Sequence, residues 1–208
     1  MNSKKKIHHQ FFLNFVQKNL NEMINDSTFS KIDIVFIIYQ IVEGMKFIHF
    51  FKKIIHRDLK PSNILLGLDN LIKNCDFGMS KLMSIENQSM TNGVGTQKFM
   101  ASEILNEKEY DEKVDVYSFG VVIFFILSGG KMMWEFVKKH PIPKTLNDVS
   151  CKLINDCWCF DSKNRPSFDD ISKYLEVNNF DLLNLSKSEI DEVISKIKAH
   201  KPKIPKYL

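Results

Sequence analysis

Apolar residues in the first half of the chain recur at two distinct spacings. Ile34, Ile37, Ile38, Ile41, Met45 and Ile48 fall at helical spacing, which predicts a long amphipathic helix ending near Phe50. Ser30-Lys31-Ile32-Asp33 precedes it as a capping-box-like start, with Asp in the place of the usual Glu. Upstream, Phe11 to Val16 has the composition of an edge strand, and Leu20 to Ile24 fits a short helix. Downstream, Ile64-Leu65-Leu66 and Leu71-Ile72-Lys73 flank Gly67-Leu68-Asp69-Asn70, the pattern of a hairpin with a four-residue loop. The polar stretch His56 to Asn63 lies before that hairpin, and Pro61 keeps it out of a helix interior.

The second half reads as helices. Val114 to Leu127 is apolar on nearly every face, so it is expected as a helix buried in the core and stopped by Gly129-Gly130. Two shorter helices, Asn147 to Trp158 and Phe168 to Glu176, follow on either side of the turn-like Asp161 to Pro166. Ser186 and Glu189 form a capping box for a last helix over 187–200, on which Ile190, Val193, Ile194 and Ile197 share a face. Between the halves, Met79 to Gln97 is rich in Ser, Thr, Asn and Gly without a period. A loop of that length is usually functional.

Composition narrows the class. The 208 residues, 44% hydrophobic and 26% charged, fit one globular domain with a real core. The net charge of +4 is mild and sits partly in Lys4-Lys5-Lys6 and Lys201 to Lys206, so nucleic acid is not an expected partner. Cys75, Cys151, Cys157 and Cys159 match neither paired zinc arms nor a dense disulfide framework, which points to reduced thiols and a cytoplasmic compartment. No signal-peptide pattern opens the chain. The apolar run Phe119 to Leu127 is too short to span a bilayer, so no membrane insertion is expected. Nothing in the pattern specifies an oligomeric state.

Candidate chemistry concentrates in His56-Arg57-Asp58-Leu59-Lys60-Pro61-Ser62-Asn63 and Asp76-Phe77-Gly78. Phosphoryl transfer needs a carboxylate to orient the attacking hydroxyl, hard oxygen ligands for magnesium, and a cation to offset charge on the transferred group. These two stretches supply those groups in that order. Taken singly, Asp58 or Asp76 would be read as a solvated loop acid or a helix cap; the ordered set is what argues otherwise.

The set resembles the protein kinase family. H-R-D-L-x-x-x-N is complete, and Asp-Phe-Gly follows at the distance a hairpin requires. Gly95-Thr96-Gln97-Lys98-Phe99-Met100-Ala101-Ser102-Glu103 is similar to the segment that closes a kinase activation loop. Asp115 to Gly120 is similar to the start of the family's buried central helix, and Arg165-Pro166 to its late structural arginine. Lys60-Pro61-x-Asn63 resembles the serine/threonine version of the loop, and Cys157-Trp158 with Asn164 to Phe168 and Asp115 to Gly120 resembles the tyrosine-kinase-like branch of the serine/threonine kinases.

The resemblance implies a mainly α fold: a kinase large lobe with a short β-hairpin. Residues 1–29 would hold a remnant of the small-lobe strand, the hinge and the first large-lobe helix. Residues 30–177 would be the large lobe and 178–208 a tail. It implies an ATP- and magnesium-dependent transfer to a protein Ser or Thr hydroxyl. Asp58 would orient the hydroxyl and Lys60 would neutralise the phosphate. Asn63 and Asp76 would hold magnesium, and Leu65 would lie under the adenine. Arg57 would receive a phosphate from the activation loop, where Ser84, Ser89 and Thr91 are candidate acceptors. Thr96 would contact Asp58, His56 and Phe77 would stack toward Asp115, Gly78 would complete the metal loop, and Glu103 would pair with Arg165.

Departures from the family's pattern keep a second reading open. No G-x-G-x-x-G and no strand lysine motif occur, and only 55 residues precede His56. Ser102 replaces the proline of Ala-Pro-Glu, and Gly129 to Pro143 is short for the family's exposed helix. The chain reads as a large lobe nearly alone, hence either a kinase whose isolated activity is doubtful or a pseudokinase-like module that docks a protein partner.

Overall fold

The computed structural model describes residues 16–25, 29–68, 71–75, 80–83, 97–130, 142 and 144–200. Its first elements are strand β1 (Val16–Asn19) and helix α1 (Leu20–Asn25). The expected edge strand, Phe11 to Val16, lies outside the described residues except for Val16, and the strand described there runs on to Asn19.

Helix α2 (Lys31–Phe47) starts where the capping box placed it. The Ser30 side chain accepts from the Asp33 N–H, and the Asp33 carboxylate accepts from the Ser30 N–H. Its end differs from the reading. The helix widens into a π-helical turn, Ile48–Lys52, and stops at Lys53 in the left-handed region, φ +52°. Together Lys31–Lys52 is long and apolar enough to cross a membrane by length and composition, which Phe119 to Leu127 is not. Packing accounts for the apolarity: Val35, Ile38, Ile41, Val42 and Met45 are fully or almost fully buried in the core.

Strands β2 (Ile54–Ile55), β3 (Ile64–Gly67), β4 (Ile72–Asn74) and β5 (Lys81–Leu82) follow. The hairpin forms as read: β3 and β4 pair antiparallel, Leu65 opposite Lys73, and β1 adds to the far edge of β3. The β2–β5 pair was not foreseen, because two-residue strands leave no periodic signal and Lys81–Leu82 sat inside the stretch read as loop.

Helices α3 (Ser102–Leu105), α4 (Lys113–Leu127), α5 (Asp148–Cys157), α6 (Phe168–Val177) and α7 (Lys187–His200) complete the fold, so the described part is mainly α with a small sheet. Helix α4 runs through the core, with Val116, Phe119, Val122 and Ile123 wholly buried. It ends in a Schellman motif. Gly129 (φ +66°) donates to the Ile126 carbonyl and Gly130 (φ +77°) to the Phe125 carbonyl, a geometry that favours glycine. Gly120 is required for a different reason: a Cβ there would lie 2.8 Å from Cys157 Cβ, where α5 crosses α4. Burial pushes the Cys157 thiol up, so it remains protonated at that crossing.

Helix α2 packs against α6 and α7. Lys196 on α7 reaches Asp33 at 2.7 Å, and Val193 and Ile197 are buried beneath. Burial works to raise the Asp33 pKa, but the Lys196 and Ser30 hydrogen bonds outweigh it and hold the carboxyl below its usual range. Residues 131–141 and 143, in which the shortened exposed-helix segment was read, lie outside the described residues.

Candidate active site around Asp58

The loop between β2 and β3 is held from behind by a buried aspartate. Asp115, in the first turn of α4, is fully buried. Its Oδ2 accepts from the His56 backbone N–H at 2.7 Å and its Oδ1 from the Arg57 N–H at 2.8 Å. His49, from the π-helical turn, adds Nε2 at 2.8 Å; the carboxylate only accepts, so Nε2 carries the proton. This anchoring allows an uncommon conformation. Arg57 has φ +65°, which costs a non-glycine residue roughly 1–2 kcal/mol, and the carboxylate holds its amide and the one before it, on the entry side of the strained residue. It is thus the His56 backbone that meets Asp115. The His56 ring turns elsewhere: Nε2 donates to the Cys75 carbonyl (3.1 Å), leaving Nδ1 to accept from the Asp58 N–H (3.3 Å).

Asp58 sits at the front of this loop, 7% exposed. Its Oδ2 accepts from Lys60 Nζ at 2.7 Å and from Asn63 Nδ2 at 2.9 Å. Asn63 Nδ2 also donates to the Asp58 carbonyl at 2.8 Å. These bonds require the spacing found in the sequence. A short 3-10 turn, Pro61–Asn63, brings Asn63 back over Asp58, and the Pro61 ring occupies a first-turn position that lacks nothing by having no N–H. Asp58 Oδ1 is buried and has no hydrogen-bond partner among the described residues. A buried carboxylate oxygen left open is costly unless something else uses it.

Asn63 also ties this loop to the next. Its carbonyl accepts from the Cys75 N–H (2.9 Å) and lies 3.3 Å from Cys75 Sγ. Cys75 immediately precedes Asp76 in the chain. Asp76, Phe77, Gly78 and Thr96 lie outside the described residues, as do Ser84, Ser89 and Thr91. Leu65 is on β3, opposite Lys73. Among the described residues no group of three His, Cys, Asp or Glu is placed to hold a metal ion. The donors do suit magnesium chemically: Asn63 spends its amide nitrogen on Asp58, so the group it has left is a hard oxygen.

Arg57 points the other way. Its Nη1 donates to the Tyr110 hydroxyl at 3.1 Å and its Nη2 lies 3.4 Å from the Ser80 carbonyl. Further back, Arg165 is wholly buried, and its N–H groups are matched to Glu103 Oε1 and Oε2 and to the carbonyls of Lys113, Cys159 and Phe160. The guanidinium also stacks 5.1 Å over the Tyr117 ring, whose hydroxyl pKa burial raises. Ser102, in place of proline, opens α3, with Ala101 as the extended residue before it.

Sequence reasoning missed His49, Tyr110, Ser80 and Cys75. His49 lies one residue beyond the apolar stripe of α2, and only the π-helical widening aims it at Asp115. Nothing in its local pattern marks that.

The result is a buried, amide-anchored loop that presents a carboxylate beside a lysine and an asparagine. The profile described as "Protein kinase domain" matches residues 1–175, and the chain belongs to that family. It is 35% identical over 156 residues to a rat protein named mitogen-activated protein kinase kinase kinase 12 (69% of this chain, 17% of that one). It is 33% identical to serine/threonine-protein kinase STY46 of Arabidopsis thaliana (65% and 25%), and 38% identical to the RGS domain-containing serine/threonine-protein kinase A of Dictyostelium discoideum (65% and 13%). The chain spans a quarter or less of the length of these relatives. Protein kinases in general use ATP and magnesium and act on proteins, and the last two of these relatives carry serine/threonine names that agree with the Lys60-Pro61-x-Asn63 reading.

Proposed function

We propose that this chain carries the large-lobe half of a serine/threonine protein kinase of the tyrosine-kinase-like branch, acting on a cytoplasmic protein substrate. The supporting observation is the Asp58 carboxylate: Lys60 and Asn63 hold Oδ2, while the buried Oδ1 has no partner among the described residues. On this reading Oδ1 accepts the hydrogen bond of a substrate Ser or Thr hydroxyl and aims its oxygen at the γ-phosphorus. The new oxygen–phosphorus bond forms as the bond to the ADP leaving oxygen breaks, and the hydroxyl proton passes to Asp58. Lys60 offsets charge on the transferred group. Asn63 and Asp76 would hold the magnesium ions, which neutralise the phosphates, and Leu65 would lie under the adenine. Arg57 would pair with an activation-loop phosphate, with Thr96, Phe77 and Gly78 completing the segment. Residues 30–177 would be the large lobe, 1–29 the remnant of the small-lobe strand, the hinge and the first helix leading into it, and 178–208 a tail, of which helix α7 packs on α2.

Calorimetric unfolding with magnesium and ADP tests the nucleotide half of this reading. At ten times Kd the ligand should stabilise the wild-type chain by roughly 1.4 kcal/mol, and Asp76→Ala should remove the effect. A folded wild-type sample that gives no shift would overturn nucleotide binding by this chain and favour the pseudokinase-like docking module.

A further inference from the structure

The π-helical turn that ends α2 buries His49 on one side and carries on the other an exposed aromatic–basic knob to which no role is assigned above. Phe47, Phe50 and Phe51 are 39%, 65% and 48% exposed. Their rings contact one another, Phe47–Phe51 at 5.4 Å between centroids and Phe50–Phe51 at 4.9 Å. Lys52 Nζ lies 5.5 Å over the Phe47 ring and Lys53 Nζ 5.1 Å over Phe50. Neither lysine has a carboxylate partner among the described residues, and no acidic residue occurs between Glu43 and Asp58. The partner strand sets Leu82, 45% exposed, next to this turn, since it pairs with Ile54 and Met83 donates to the Lys53 carbonyl. Half of the large apolar side chains that the described residues leave exposed therefore gather at one place. Lys53 sits at φ +52°, where glycine would cost nothing, so a charge is kept at a conformational expense.

We propose that this knob docks the chain on an anionic lipid surface. Size and charge select that occupant. At about 200 Å² for a whole phenylalanine side chain, the three rings expose roughly 300 Å² of apolar area. A stable protein partner needs about 800 Å² on each side, well beyond what the knob offers. A second copy of the chain would bring four like charges together. A lipid interface needs neither a groove nor a large area. The rings enter the headgroup boundary, while the lysine stems, already lying along the rings, carry their ammonium groups to anionic headgroups.

The test is co-sedimentation of the whole chain with vesicles of phosphatidylcholine alone or with about 30% phosphatidylserine. Expected is binding to the anionic vesicles only. Phe50→Ser with Phe51→Ser should weaken it tenfold or more at unchanged net charge, and Lys52→Gln with Lys53→Gln by roughly fivefold per lysine. Phe160→Ser, which removes a ring that is 84% exposed elsewhere, should change nothing. Thermal unfolding controls for folding, and the lysine pair serves if the phenylalanine pair misfolds. Wild-type binding retained by both double variants would mean that the basic chain ends do the work and would overturn the proposal. So would an equal loss in Phe160→Ser, or equal capture of soluble polyglutamate by the same residues.

Discussion

Asp58 and Asp115 are both buried aspartates bound to the same loop, His56 to Asn63, and they differ in what meets their oxygens. Asp115 has both oxygens filled, by two backbone amides and the His49 ring. Asp58 has one oxygen doubly filled and the other open among the described residues. The first arrangement is that of a structural post: every donor is protein and nothing is left over. The second is that of a group held for something else. Burial alone does not distinguish a scaffold carboxylate from a working one; the open lone pairs do.

If Asp115 is the post, Asp115→Ala should be the most damaging of these changes. It strands the His56 and Arg57 amides and the His49 ring, and a loss of about 3–5 kcal/mol is expected in denaturant unfolding. A loss under about 1 kcal/mol would break the comparison. Glu103→Ala extends it to the rear of the site, since it leaves the wholly buried Arg165 without its counter-charge; about 3 kcal/mol is expected by the same measurement. Asp58→Asn should behave in the opposite way. Stability should move by less than about 1 kcal/mol, because asparagine keeps an oxygen for the Lys60 and Asn63 donors. Phosphotransfer to a Ser/Thr peptide, measured under conditions where the wild-type chain is active, should fall by about 10²–10⁴. Activity that survives this change would mean Asp58 is not the orienting carboxylate.

The smallest expected effect concerns an exposed aspartate, which neither case describes. Lys173 and Lys46 hold Asp169 down to about 2 by hydrogen bonds at 2.6 and 2.9 Å. A depressed carboxylate stabilises the fold above its unfolded pKa, near 3.8, and loses that contribution as pH falls toward 2. With a side chain 45% exposed, solvent screening limits the effect to about 0.5 kcal/mol. Stability between pH 4 and pH 2 should therefore fall slightly less in Lys46→Met than in the wild type.

The elements were legible wherever their signal is local. The capping boxes at Ser30 and Ser186, the buried helix closed by Gly129-Gly130, and the hairpin around Gly67 all depend on residues within a few positions of one another. The family was legible for a related reason: the spacing from Asp58 to Asn63 is the spacing a single 3-10 turn needs. The π-helical end of α2 was not legible, because Phe47 to Lys53 reads as more helix. Nor was the β2–β5 pair, whose strands are too short to show a period.

The sequence by itself therefore determined the long helices, their caps and the hairpin, since backbone hydrogen bonding and turn geometry act over a few residues. Only the tertiary structure decided which aspartate is filled and which is open. His49 and Asp115 are 66 residues apart, Arg165 and Glu103 are 62 apart, and Lys53 meets Met83 across a strand pair. Such contacts exist once the core has closed around α4, and they follow from packing against distant elements rather than from any pattern along the chain.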